Sequence, residues 1–331
     1  MSSAIRFDRP GAPGVLRLVP VDDLEPGPAE VLIAVEAAGV NNADLLERRG
    51  HYPVPPGAPA GLGLECAGTI AAVGREVTAW KPGDRVCALL TGGGYAEQVV
   101  VPAEQVMPAP HGLTMIEAAS FPEVACTVYS NLAMIAGLTS GQSVLVHGAG
   151  GGIGAFATQW AAAIGARVIA TAGSDTKVKA ALTMGVSEAI NYRTDDFVTT
   201  TLNATSGRGV DAILDVVGAP YLERNLRSLA ADGHLIIIGG SMTPVSFDLW
   251  ELASRRASVS ATMLRGRPKA QKAAIVAGVT RDVIPLIEAG KIKPVIDTVF
   301  PLAQAGRAHE LLEAGRTVGK VILETGYSTT R

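Results

Sequence analysis

The chain has 331 residues, 48% hydrophobic and 18% charged, with a formal net charge of −3. That length suits two domains, and that apolar content supplies a large core and excludes a disordered chain. The charge gives no reason to expect nucleic acid or an anionic membrane as partner, and no apolar run approaches the ~20 residues of a membrane span. The first residues, MSSAIRFDRP, carry charges and no apolar signal core, and the three cysteines do not suggest a disulfide framework. The cytoplasm is therefore the expected compartment. Residues 1–122 are rich in Pro and Gly, with short strands at 31–35 and 68–73, which reads as a distorted small β-barrel or sandwich. From 123 to 263 helix and strand alternate. Strands are expected at 144–146, 168–171, 189–191, 212–216 and 235–238, the pattern of a doubly wound parallel sheet. Residues 264–331 are expected to carry two amphipathic helices and a last strand, 320–323, returning the chain to the first domain.

The segment 144–174, VLVHGAGGGIGAFATQWAAAIGARVIATAGS, carries most of the chemistry. An apolar strand runs into Gly148-Ala149-Gly150-Gly151-Gly152-Ile153-Gly154, followed by an Ala-rich helix over 155–164 closed by Gly165, then a second strand. Gly148, Gly151 and Gly154 give a tight turn, a close approach of backbone to phosphate and close helix–strand packing. A helix N-terminus with free N–H groups is a favourable place for a pyrophosphate. Strand, turn, helix and strand in this order predict a dinucleotide site in a Rossmann domain.

The end of the second strand indicates which dinucleotide. An acidic residue is expected there for NAD. This chain has Ala172, Gly173 and Ser174, with Lys177 beyond. Small residues leave room for a 2′-phosphate, Ser174 can donate to it and Lys177 supplies a point charge, so NADPH is expected. Asp175 reads as the N-cap of the next helix. The basic cluster Arg265, Arg267, Lys269 and Lys272 reads as a solvated helix start, with help to cofactor phosphate as the alternative. His51, His111, His147, His234 and His309 form no spacing pattern and read as structural.

The chain resembles the zinc-free quinone oxidoreductases of the medium-chain dehydrogenase/reductase superfamily, in the zeta-crystallin-like branch and nearest the p53-inducible type. The resemblance rests on AGVNNADLLERRGHYPVPPG, GLGLECAGTI, KPGDRVCALLTGGGYAEQVVVP, the glycine turn, VDAILDVVG and VGKVIL. It implies an α/β fold: a GroES-like β-rich catalytic domain (1–122, rejoined by 264–331) and a Rossmann domain (123–263). Zinc-dependent relatives have a Cys where this chain has Asn41 and a His where it has Leu64. Asn41, Leu64 and a lone Glu65 cannot supply the three ligands of a catalytic zinc, so no metal is expected. Cys66, Cys87 and Cys126 read as small buried residues. Without a Lewis acid, alcohol oxidation is disfavoured, and hydride donation to an electron-poor quinone or enone is the expected chemistry.

The resemblance further implies Asn41 and Asp44 near the nicotinamide and Tyr52 facing the acceptor. Asn41 can orient a ribose or carbonyl, and Tyr52 can donate to a reduced oxygen. A helix cap for Asp44 and half-buried packing for Tyr52 stand beside those roles. Some relatives carry a second tyrosine where this chain has Leu46, so a two-tyrosine relay is not expected. Tyr192, Gly239, Met263, Leu264 and Arg316 are the further cofactor positions that the resemblance implies. Alternatives are an NADPH-dependent enone or enoyl-thioester reductase, and a low-turnover NADPH-binding protein with a structural or RNA-binding role. The segment 257–262 alternates small and β-branched residues and reads as an edge strand. Relatives join there about a twofold axis, so a homodimer is expected.

Overall fold

The computed structural model describes residues 2–241 and 243–326. They fall into two compact units: Met1–Cys126, Leu264–Ala289 and Pro294–Arg331 in unit 1, and Thr127–Met263 with Gly290–Lys293 in unit 2.

In chain order, unit 1 begins with β1 (Ser2–Arg6), β2 (Arg17–Val21), β3 (Glu30–Val40), α1 (Asn42–Arg48), β4 (Glu65–Val73), β5 (Arg85–Leu89), β6 (Gln98–Pro102), β7 (Val106–Pro108) and α2 (Met115–Ala118). The chain changes unit within α3 (Pro122–Val128), which continues as a π-helical stretch, Tyr129–Ile135. Unit 2 then runs β8 (Ser143–His147), α4 (Gly152–Ala163), β9 (Arg167–Ala172), α5 (Asp175–Thr183), β10 (Glu188–Asn191), α6 (Phe197–Ala204), β11 (Val210–Asp215), α7 (Leu222–Ser228), β12 (Leu229–Ile237), α8 (Leu249–Ser254) and β13 (Ser258–Ala261). Unit 1 resumes with α9 (Lys269–Asp282), α10 (Ile284–Glu288), β14 (Ile296–Pro301), α11 (Ala305–Glu313) and β15 (Lys320–Glu324). Two helices were expected after residue 264, and the described residues form three α-helices there. Pro285 supplies no backbone N–H and fits only a first turn, so a new helix starts at Ile284.

In unit 1, β3 is the organising strand. It pairs antiparallel with β4, β6 and β15. The β3–β4 ladder slips register at Leu32/Ile33 and again at Val35/Ala37, and such bulges bend a strand so that a small sheet can curl. Val31, Ile33 and Val35 alternate into a core shared with Ile70, Val86, Val99 and Val321.

Unit 2 is a parallel sheet in the order β10-β9-β8-β11-β12-β13. Counted within the unit this is 3-2-1-4-5-6, the doubly wound order, with its switch point between β8 and β11. The central strands are buried on both faces and accordingly run apolar at their centres, as in Val144, Leu145 and Val146 of β8, whereas the outer strands β10 and β13 are only half-buried. No helix among the described residues is long and apolar enough to cross a membrane.

Candidate functional site

Unit 2 presents the C-terminal end of β8 at the switch point. Gly148 lies at φ +77°, and the N–H groups of Gly148 and Ala149 donate to Thr171 O at 3.0 and 2.9 Å, fixing the turn to β9. Gly151 caps α4, whose first axial bond runs from Ala155 N to Gly151 O at 2.8 Å. The N–H groups of Gly152, Ile153 and Gly154 precede that bond and point out of the helix start. A Cβ on Gly154 would collide with the Gly148 carbonyl, so α4 packs this close to the turn only with glycine there.

The adjoining end of β9 gathers Gly173, Ser174, Lys177 and Tyr192. The Lys177 stem lies over Gly150, its Cδ 2.6 Å from where a Cβ would stand, and the Tyr192 hydroxyl occupies the corresponding space at Gly173. Ser174, not Asp175, is the N-cap of α5, its Oγ accepting from Lys177 N at 3.4 Å. Ser174 alone has the extended backbone a cap requires. Asp175 is already helical, and its carboxylate accepts from Asn191 Nδ2 at 2.8 Å. The arrangement fits a dinucleotide with a 2′-phosphate: glycine N–H groups for the pyrophosphate, and one lysine with no acidic residue at the strand end. Gly239 has nothing nearer its Cβ position than Val216 O at 3.9 Å. Met263 is half exposed. Thr262 beside it is tied to Asn131 Oδ1 at 2.7 Å.

His147, at the end of β8, is buried between Thr171 Oγ1 (3.0 Å) and Asn225 Oδ1 (2.8 Å). Burial holds its pKa down, to about 4, so it is a neutral structural histidine.

In unit 1 strand register brings a buried charge cluster together. Pairing of Val321 with Val40 sets Lys320 beside Asn41, and pairing of Cys66 with Ala38 sets Glu65 beside Gly39. Gly39 is required: a Cβ there would overlap the Glu65 carboxylate. Lys320 Nζ donates to Glu65 Oε1 at 2.5 Å, Asn41 Oδ1 at 2.7 Å and Val40 O at 3.2 Å. Asn41 Nδ2 donates to the same Glu65 oxygen at 2.9 Å, and Glu123 N to the other at 2.9 Å. The Glu65 carboxylate is thus fully committed. Leu64 and Asn41 offer no thiolate or imidazole, and among the described residues no group of three His, Cys, Asp or Glu is placed to hold a metal. The residues present do not fit a catalytic zinc.

Asp44 is fully buried and accepts from Asn41 N (2.8 Å), Gly63 N (3.0 Å) and Tyr95 Oη (3.1 Å). It serves α1 from within its first turn, beside any role toward a ligand. Burial raises its pKa to about 6 despite the two N–H donors. Behind it, Tyr95 Oη meets His309 Nε2 at 3.2 Å, and His309 Nδ1 meets Arg48 Nη1 at 3.4 Å. An arginine only donates, so Nδ1 accepts and Nε2 carries the proton. The chain therefore has one direction: Arg48 to His309 to Tyr95 to Asp44. Arg48 continues to Glu313, which also pairs with Arg49 at 2.8 Å. Burial and the two arginines hold the His309 pKa down, to about 3.

Tyr52 is half-buried, with the Arg265 guanidinium 5.6 Å from its ring centroid. Burial, and then the Glu123 carboxylate, push its pKa up, so its hydroxyl stays a donor. The reading of the basic cluster as a solvated helix start holds for Lys269, which is exposed at the first position of α9, but not for Arg265 and Lys272, which are each 4% exposed. The signal was available: Lys272 shares the buried face of α9 with Ile275, Val276 and Val279. Leu264 is half-buried and Arg316 exposed. Sequence reasoning missed the partnership of Lys320 with Glu65 and the roles of Tyr95, His309 and Arg48, because each pairs groups far apart in the chain.

Family models match at residues 27–111, the alcohol dehydrogenase GroES-like domain, and 184–323, the zinc-binding dehydrogenase. The chain is 36% identical to a quinone oxidoreductase of Pseudomonas aeruginosa, over 98% of this chain and 99% of that protein. It superposes on the crystal structure of Escherichia coli quinone oxidoreductase complexed with NADPH with a TM-score of 0.84 and 33% identity, covering 97% and 99% of the two chains. It is also similar to the CurF ER cyclopropanase of the curacin A biosynthetic pathway, with a TM-score of 0.86, 27% identity and coverage of 98% and 99%.

Proposed function

Since the chain belongs to the quinone oxidoreductase family of medium-chain dehydrogenases/reductases, we propose that it reduces quinones with NADPH and without a metal. The observation that carries this reading is the pairing of a 2′-phosphate-compatible glycine turn with a Glu65 carboxylate committed to Lys320. NADPH, when bound, supplies a hydride. Gly152, Ile153 and Gly154 hold the pyrophosphate through their N–H groups, and Ser174, Lys177 and Tyr192 hold the adenosine phosphate. Gly239, Met263, Leu264 and Arg316 complete the cofactor contacts. Asn41, oriented by Lys320 and Glu65, positions the nicotinamide ribose or the acceptor carbonyl. Asp44 holds the Asn41 backbone, and Tyr52 donates to the acceptor oxygen.

The test follows loss of NADPH absorbance with a panel of quinones, enones and acyl-thioester enones. Quinone-dependent consumption, faster with NADPH than with NADH, is expected. Similarity to the CurF enzyme supports enone or enoyl-thioester reduction as a second reading, and faster turnover of those acceptors would favour it. NADPH binding without turnover on any acceptor would overturn both.

We further propose a homodimer built through β13. It lies at the end of the unit 2 sheet. Thr262 N donates to Ile237 O at 3.0 Å, so by alternation the N–H groups of Val259 and Ala261 face away from β12. Val245, Phe247, Leu249 and Trp250, in the segment leading to this edge, are exposed, which a covering partner would explain.

A further inference from the structure

Buried cations are ordinarily paired with anions. In unit 1 two buried cations lie beside Thr91, and only one of them, Arg265, is bonded to a carboxylate. Arg265 Nη1 donates to Glu47 Oε2 at 2.5 Å and Nε to Thr91 O at 2.8 Å. Its Nη2 is buried and has no hydrogen-bond partner. Lys272 Nζ donates to the neutral Thr91 Oγ1 at 2.7 Å. Thr91 opens the run Thr91-Gly92-Gly93-Gly94-Tyr95, and the absence of a side chain at Gly92 leaves Nη2 only 3.4 Å from its Cβ position. The Tyr52 ring lies against the same guanidinium.

A buried ammonium bonded only to a neutral hydroxyl is costly, and an orphaned guanidinium donor adds to that cost. Both are relieved when an anionic oxygen joins the cluster. We infer that Arg265 and Lys272 hold the reacting oxygen of the acceptor as it becomes an oxyanion, an inference that rests on the reductase reading above. The electron balance requires such a species. A neutral quinone that takes a hydride gains two electrons and one proton, the nicotinamide being left oxidised. The acceptor is then the hydroquinone monoanion until a proton from water completes it. Donors already fixed where that charge develops need no reorganisation. Burial, then Arg265 and Lys269, lower the Lys272 pKa to about 8, so the ammonium is still mostly charged at neutral pH.

The probe is 4-nitrophenolate, a stable aromatic oxyanion, titrated by absorbance against the full-length protein with 4-nitroanisole as the neutral control. The unmutated protein is expected to prefer the phenolate. Lys272→Met and Arg265→Gln should each weaken its binding about tenfold or more, as for a lost hydrogen bond to a charged group, with NADPH binding retained. With menadione, kcat should fall about 100-fold per lost donor while KM moves little, and Lys272→Arg should recover most of it. If Arg265→Gln does not fold, Arg265→Lys, which keeps the charge and loses the forked donor, replaces it. Unchanged phenolate binding and kcat within about threefold in folded variants would overturn the inference. So would an effect confined to the KM of a sulfonated quinone, which would show recognition of a fixed substituent charge. An unmutated protein that consumes no NADPH with any acceptor overturns the reductase reading instead, and the phenolate titration still decides this one.

Discussion

Tyr95→Phe tests the directional chain behind Asp44. The substitution keeps the ring and removes one oxygen. Asp44 loses one of its three donors, and the His309 Nε2–H loses its acceptor in a site where both residues are fully buried. A hydrogen bond to a charged group is worth about 1.5–3 kcal/mol, and one between neutral groups about 0.5–1.5 kcal/mol. The difference makes the cost depend on whether Asp44 is ionised. Its pKa is raised from 3.8 to about 6 in the folded protein, chiefly by burial. A raised carboxylate binds more protons folded than unfolded in that window. It therefore stabilises the fold fully below the lower value, and that contribution, about 3 kcal/mol, is lost as pH rises through the upper one. Removing the Tyr95 donor raises the folded pKa further and enlarges the loss. At pH 5 Asp44 is largely protonated and the variant forfeits a neutral bond. At pH 7.5 it forfeits a charge-assisted one. His309, held to about 3, is neutral at both. Urea unfolding of both proteins at the two pH values should show a destabilisation larger by about 1–2 kcal/mol at pH 7.5. An equal or larger cost at pH 5 would refute the direction of the chain and the ionisation assigned to Asp44.

Lys177→Ala should remove most of the preference for NADPH, about tenfold or more from a charge-assisted contact, and leave NADH affinity nearly unchanged in titrations of both cofactors. Chelator treatment should leave quinone reduction intact, and elemental analysis should find well under one zinc per chain; stoichiometric zinc would contradict the commitment of Glu65 to Lys320. Lys320→Met leaves the Glu65 carboxylate buried without its cation and should cost about 3–5 kcal/mol in denaturant unfolding, whereas a cost under about 1 kcal/mol, typical of an exposed pair, would show that Asn41 and the Glu123 N–H suffice. Val259→Pro removes an outward-facing donor of β13 and should shift the protein toward monomer by light scattering; an unmutated chain already monomeric at micromolar concentration would rule out the edge pairing.

What could be read in the sequence, and what could not, divides along the range of the interactions. The glycine turn, α4 and the strands of unit 2 are local consequences of residues within about thirty positions of one another, and Gly154 packs on Gly148 while the Lys177 stem lies over Gly150. The cap of α5 was misplaced by one residue because Ser174 and Asp175 are both good caps, and only the backbone turn decides between them. The unit 1 cluster belongs to another kind of fact. Lys320 meets Glu65 and Asn41 because β15 and β4 flank β3 in a particular register, and a slip of one residue would turn each side chain to the opposite face. A sequence shows that a lysine opens a strand, and composition makes solvent its default place. A buried lysine is found only by asking which charges fall on apolar faces. For Lys272 the α9 periodicity answers that question, whereas for Arg265, in the loop before the helix, only the fold does. Apolar patterning thus specifies where the strands and helices go, and the polar residues that depart from it mark where the chemistry is built.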